Sequence, residues 1–193
     1  MFRRFISPLQ TIARAHQDIP TDGIEIIQPY AITPWDDRLA AIIEPDEDKA
    51  AATANCIHGI RIATSSSEKK GMVGMGGVIH DTFGILQNGE LIRYSVTLGR
   101  RTAQNLYTAE LAAMAIAGKL LPLDLIGRQI TMFTSNQAAL LATSQPQQQS
   151  GQASIREIYD AVRTLRQKGN RFRILWVPSH GDFELSRKAK EAA

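Results

Sequence analysis

The chain has 193 residues, of which 44% are hydrophobic, and this suits one domain with a sizeable core plus an appendage. No apolar run approaches the roughly 18 residues of a membrane span and the first residues are too polar for a secretory signal, so we expect an intracellular protein, nuclear or cytoplasmic, without a membrane partner. Residues 1–57 carry five basic and nine acidic side chains, whereas residues 58–193 carry 17 and 10. The basic second part favours a polyanionic partner such as nucleic acid, with an ordinary solvated surface as the alternative.

Residues 1–55 are expected to form an acidic, proline-containing appendage. Prolines at positions 8, 29, 34 and 45 interrupt any long periodicity. One short helix is predicted over 7–16. The acidic run 46–48 suits the start of a second helix, with a solvated linker as the alternative. We place the domain boundary near Asn55, so that residues 56–193 form the main domain.

The main domain begins with a predicted three-stranded meander. Hydrophobic alternation marks strands over 57–63, 74–79 and 91–98, and the short links between them favour antiparallel pairing. The segment 105–121 then has apolar residues at helical spacing and ends at Pro122. An amphipathic helix is therefore predicted after the third strand.

The second half of the domain alternates strands and helices. Strands are predicted over 128–134 and 171–177, and helices over 138–141, 154–168 and 183–193. A helix that connects two strands of one sheet makes them parallel. The expected fold class is therefore α/β, with a five-stranded mixed sheet of three antiparallel and then two parallel strands, flanked by helices.

Five short sequence motifs lie on or next to these predicted elements, in the following order: YTAEL (107–111), ITMFTSNQAAL (130–140), SGQ (150–152), WVPSH (176–180) and AKEA (189–192). With them, the chain resembles a type 1 ribonuclease H domain. It most resembles the one that follows the reverse transcriptase of fungal LINE-type (non-LTR) retrotransposons. The proline-containing appendage is similar to the connection that precedes this domain in such proteins. The resemblance implies a ribonuclease H-like fold and a retrotransposon origin.

In that family three aspartates and one glutamate hold two Mg²⁺ ions. The resemblance places the aspartate positions on Ser65, Ser135 and Ser186, and the glutamate position on Glu110. Hard divalent ions require charged oxygen ligands, and a serine hydroxyl is neutral. We therefore expect no bound cofactor, at most weak metal binding by Glu110, and no ribonuclease activity.

The resemblance also assigns a surface for nucleic acid. Ser66, Ser67, Asn136 and Gln137 are the expected contacts with RNA–DNA hybrid or duplex RNA. His180 matches the family's mobile-loop histidine, but the path from it to Ser186 is shorter than in the family. Glu110 and His180 are thus expected to be remnants of a catalytic site.

Three functions remain open from the sequence. The first is a non-catalytic domain that binds RNA–DNA hybrid or duplex RNA. The second is a protein-interaction domain that uses the acidic appendage or the helix over 154–168. The third is a residual ribonuclease in which Glu68, Asp182 and Glu184 form a rearranged metal site. An inert retroelement fragment is also compatible with the sequence.

Overall fold

The computed structural model describes residues 6–18, 25, 27–84, 86, 89–180 and 182–193. Within these residues the chain forms six helices and six strands. In chain order they are α1 (Pro8–Ala15), β1 (Ala40–Ile42), α2 (Glu47–Cys56), β2 (Ile60–Lys69), β3 (Met72–Asp81), β4 (Ile92–Arg100), α3 (Leu106–Leu120), β5 (Gln129–Thr134), α4 (Gln137–Ser144), α5 (Gln152–Gln167), β6 (Arg171–Trp176) and α6 (Glu184–Ala192). None of the described helices has the length and apolar character needed to cross a membrane.

The strands form one mixed sheet in the order β1-β6-β5-β2-β3-β4. Strands β2, β3 and β4 pair antiparallel, and β5 pairs parallel with β2 and with β6. Helix α3 connects β4 to β5, and helices α4 and α5 connect β5 to β6. The predicted meander, the helical crossovers and the mixed α/β class are therefore confirmed.

The predicted number of strands, five, is wrong. A sixth strand, β1, lies at the edge of the sheet and pairs parallel with β6, with Ala41 opposite Ile174. This strand has only three residues, which is too short for a period of two to stand out in the sequence. It also follows a proline-containing segment, which had no regular pattern.

Helices cover both faces of the sheet. Helices α3, α4 and α5 pack on one face, where the larger core cluster includes Ile62, Met132 and Leu111. Helices α2 and α6 pack on the other face around Phe133 and Phe183, whose ring centroids are 4.7 Å apart. The sheet is thus the middle layer of the domain.

Polar side chains cap the starts of four described helices, with Ser7 at α1 and three more at α2, α3 and α4. Asn105 accepts a hydrogen bond from the backbone N–H of Thr108 at 2.8 Å, and Asn136 caps α4 in the same way. Asp46 accepts from the backbone N–H of Lys49 at 3.1 Å, so the acidic run does begin a helix. Such caps satisfy N–H groups that have no partner within the helix.

Part of the predicted appendage contacts the main domain. Leu39 is buried in the larger core cluster. The backbone N–H of Tyr30 donates to the Gln152 side chain at 2.6 Å, and the Glu25 carboxylate accepts from the N–H of Gly151 at 2.7 Å. Residues between 25 and 56 therefore add an edge strand and a helix to the sheet, while the boundary near Asn55 stays a prediction.

Gly77 on β3 makes room for a tyrosine that links the sheet to α3. A Cβ atom at this position would lie 2.3 Å from the Tyr94 hydroxyl oxygen and 2.6 Å from the Ala63 carbonyl oxygen. The Tyr94 hydroxyl donates to the carbonyl of Ala113 on α3 at 2.8 Å. Burial, and next the charge of Glu110, raise the pKa of Tyr94, so its hydroxyl keeps its proton.

We expect Gly77→Ala to lower the free energy of unfolding by about 1–3 kcal/mol, because the added methyl group overlaps Tyr94 and rigid backbone. Urea denaturation measures this change. Ser95→Ala, at an exposed position on the adjacent strand β4, is the control and should stay within about 0.5 kcal/mol of the wild type. Equal stabilities of the two variants would contradict this account of β3.

Candidate functional site

Glu110 lies on α3 and is buried against the sheet, with 2% of its surface exposed. Its Oε1 atom accepts a hydrogen bond from Thr64 Oγ1 at 2.7 Å and another from Thr134 Oγ1 at 2.6 Å. A buried carboxylate is costly unless hydrogen bonds replace its lost hydration. The two threonines supply such bonds and connect Glu110 to β2 and β5.

The register of the two strands brings the threonines together. Ala63 on β2 is opposite Phe133 on β5, so Thr64 and Thr134 follow at equivalent positions. Thr134 also accepts a hydrogen bond from the backbone N–H of Asn136 at 3.1 Å. Neither threonine was among the site residues predicted from the sequence. The sequence signal that could have found them is the Thr-Ser pair that occurs as Thr64-Ser65 and as Thr134-Ser135, at equivalent positions of two neighbouring strands.

The three serines that the resemblance placed at aspartate positions lie in different surroundings. Ser65 is buried in β2, and because side chains alternate along a strand it faces away from Thr64 and Glu110, toward the side of α6. Ser135 is half-buried after β5, and its carbonyl accepts from the indole N–H of Trp176 at 3.1 Å. Ser186 is half-buried on α6.

An open cleft of about 480 Å³ brings together part of the predicted site. Its lining consists of Ser66, Leu106, Glu110, Ser135, Asn136, Gln137 and Trp176. Four predicted site residues do not line this cleft, namely Ser65, Ser67, Ser186 and His180. His180 is exposed in a turn after β6. The cleft therefore combines Glu110 with neutral hydroxyl and amide groups.

Two of the cleft side chains also serve the fold. Ser66 Oγ donates to the carbonyl of Leu106 at 3.0 Å, which ties β2 to the start of α3. Asn136 Oδ1 caps α4, as described above. Gln137, the first residue of α4, is exposed. Its amide can both donate and accept hydrogen bonds at the rim of the cleft.

The residues of the cleft do not fit a pair of magnesium ions. Glu110 is the one carboxylate among the lining residues, and one of its oxygens already accepts two hydrogen bonds. Across the described residues there is no group of three or more His, Cys, Asp or Glu side chains that could hold a metal ion. Two metal ions need several carboxylates to balance their charge.

The three acids considered for a rearranged metal site lie outside the cleft, and two of them form ion pairs. Glu68 pairs with Arg101 at 3.1 Å. Glu184 pairs with Lys188 at 2.8 Å, and this hydrogen bond lowers the pKa of Glu184. Asp182 lies in the loop before α6, where its carbonyl accepts from Asn55 at 2.8 Å. None of the three lines the cleft beside Glu110.

We expect Thr134→Val to lower the free energy of unfolding by about 1–3 kcal/mol, because it removes a donor from a buried carboxylate and an acceptor from the N–H of Asn136. Thr97→Val, the same change at an exposed position on β4, is the control. Urea denaturation of both variants tests this. An unchanged stability of Thr134→Val would show that the carboxylate does not depend on these bonds.

Comparisons with known proteins show the fold. No protein-family model matches the sequence, and no curated protein matches it. Among solved structures, LC11 ribonuclease H1 in complex with an RNA/DNA hybrid matches with 14% identity, a TM-score of 0.50, and coverage of 69% of this chain and 92% of that chain. Ribonuclease H1 from Halobacterium salinarum NRC-1 matches with 16% identity, a TM-score of 0.42, and coverage of 69% and 98%. The chain has a ribonuclease H-like fold.

Proposed function

We propose that this chain is a ribonuclease H-like domain, derived from a fungal LINE-type retrotransposon, that binds RNA–DNA hybrid or duplex RNA without cutting it. The observation that carries this proposal is the burial and hydrogen bonding of Glu110. It is the one carboxylate in the cleft, it is buried, and two threonine hydroxyls donate hydrogen bonds to one of its oxygens. Ser65, Ser135 and Ser186 add no negative charge at the family's aspartate positions.

The charge of the cleft separates binding from hydrolysis. Two-metal hydrolysis requires ions that activate a water molecule and stabilise the leaving oxygen, and this cleft has too few anionic ligands to hold them. Binding does not require those ions, because neutral hydroxyl and amide groups can contact 2′-hydroxyl groups and base edges in a wide minor groove. Fewer carboxylates also mean less repulsion of phosphates.

The fold supports a nucleic-acid partner. One solved neighbour, LC11 ribonuclease H1, was crystallised with an RNA/DNA hybrid. In this chain the cleft residues Ser66, Asn136 and Gln137 are the polar groups that we propose to contact such a duplex. Ser67 is the next residue of β2 and faces the side of α6, so a contact from it would come from outside the cleft. The excess of basic residues after position 57 favours the same partner.

Binding and cleavage can be tested on one labelled hybrid. In EDTA, fluorescence anisotropy should show an affinity that falls steeply between 50 and 200 mM salt. In Mg²⁺ or Mn²⁺, a denaturing gel should show intact RNA. Cleavage that Glu110→Gln abolishes would instead support a residual ribonuclease. Absence of salt-sensitive affinity for hybrid and duplex RNA would contradict the proposed binding.

A protein-interaction function is the second candidate, and helix α1 is the observation that favours it. Ile6, Leu9 and Ile12 are 45%, 77% and 57% exposed, and α1 has no buried residue. Helix α5 is a poorer contact surface, because its apolar face, including Ile155 and Val162, is buried in the core. A pull-down that survives nuclease treatment and is lost on Leu9→Asp would support this candidate.

A further inference from the structure

Four basic residues meet at one end of the sheet although they are distant in sequence. Lys69 and Lys70 lie where β2 turns into β3, and Arg100 and Arg101 lie at the end of β4. Lys69 is paired with Met72, and Met72 is paired with Arg100. Neighbouring strands are about 4.8 Å apart, so the backbones of Lys69 and Arg100 are roughly 10 Å apart. We call these four residues the basic corner.

The basic corner has an excess of positive charge. All four side chains belong to exposed residues. Glu68 is the neighbouring acid on β2, and it pairs with Arg101. In the part of the chain that the structure describes, Lys69, Lys70 and Arg100 form no ion pair. The backbones of Lys69 and Arg100 are about 10 Å apart, slightly more than the Debye length of about 8 Å at physiological salt, and their long side chains can approach one ligand between them.

The basic corner lies beside the cleft. Ser66, which lines the cleft, is three residues before Lys69 on β2, a distance of about 10 Å along the strand. Arg101 Nη1 donates to the carbonyl of Gln104 at 3.0 Å, next to the start of α3, where Leu106 lines the cleft. The corner therefore lies within a few nucleotides of the cleft, since one strand of B-form DNA rises about 3.4 Å per nucleotide.

We infer that the basic corner binds the phosphate backbone of the duplex whose minor groove contacts the cleft. This inference rests on the proposed function and names the surface that supplies most of its salt-dependent affinity. Lysine and arginine side chains at the corner neutralise phosphates and release counterions, which is the sequence-independent part of nucleic-acid binding. Side chains alternate along a strand, so Lys69 lies on the face of β2 that Ser65 presents toward α6, and Arg100 shares that face through Met72. Glu68 lies on the face of Ser66 and pairs with Arg101 there. The corner therefore presents cations on both faces of this sheet end.

The test compares two double variants that remove equal charge. Lys69→Gln/Arg100→Gln removes two cations from the corner. Arg156→Gln/Arg171→Gln removes two exposed cations elsewhere, Arg156 on α5 and Arg171 at the start of β6, at the opposite end of the sheet from the corner. Anisotropy titrations of a labelled hybrid in EDTA at several salt concentrations give the slope of log affinity against log salt.

The corner variant should lose about two units of that slope and bind roughly 10- to 30-fold more weakly at 150 mM salt, since each phosphate contact contributes about 0.9 unit. The control variant should keep the wild-type slope. Arg100→Gln alone should lose about one unit, which keeps the test decisive if the double variant folds poorly.

The two proposals fail in different ways. If the wild type has no salt-sensitive affinity, the proposed function is wrong and the inference falls with it. If the wild type binds, but the corner and control variants have the same slope, the proposed function stands and the basic corner is not the phosphate contact. A larger loss in the control than in the corner variant would also overturn the inference.

Discussion

A buried carboxylate that accepts hydrogen bonds from two threonine hydroxyls holds the centre of this domain together. Glu110 on α3 receives hydrogen bonds from Thr64 on β2 and Thr134 on β5, so one oxygen joins a helix to two neighbouring parallel strands. The charge is tolerated in the interior because these bonds replace water. The same bonds commit the carboxylate to the fold, which is why we regard Glu110 as a structural residue and not as a metal ligand.

The electrostatics of the surrounding surface follow from this arrangement. Glu110 is the one carboxylate that lines the cleft, and the other lining residues are neutral. A corner with lysine and arginine side chains lies about 10 Å away along β2. A metal-dependent nuclease must first attract cations and then phosphates. This surface is suited to attract phosphates directly, and the binding that we propose requires no divalent ion.

The sequence predicted most of the fold because the elements have clear periodicity and caps. The segments around Ile62, Met132 and Ile158 alternate or repeat with the spacing of a strand or a helix, and Asn105 and Asn136 mark helix starts. The short strand β1 was missed because three residues carry no readable period. The strand β2 was predicted to end at residue 63, but it continues to Lys69 because its polar residues pair with β3.

The site was less predictable, because its contacts depend on register and not on residue type. The sequence singled out Ser65, whereas the preceding residue, Thr64, is the one that contacts Glu110. The basic corner joins residues about 30 positions apart, which only the pairing of β2, β3 and β4 brings together.

A titration of the ¹⁵N-labelled protein with Mn²⁺, followed by ¹H–¹⁵N spectra, tests most directly whether Glu110 is a structural residue or a metal ligand. Paramagnetic Mn²⁺ broadens amide signals close to any site where it binds. We expect the amides of Thr64, Glu110 and Ser135 to keep their linewidths while Mn²⁺ is raised to millimolar concentration. Selective broadening of these three signals would show that Glu110 is a metal ligand and would contradict the account.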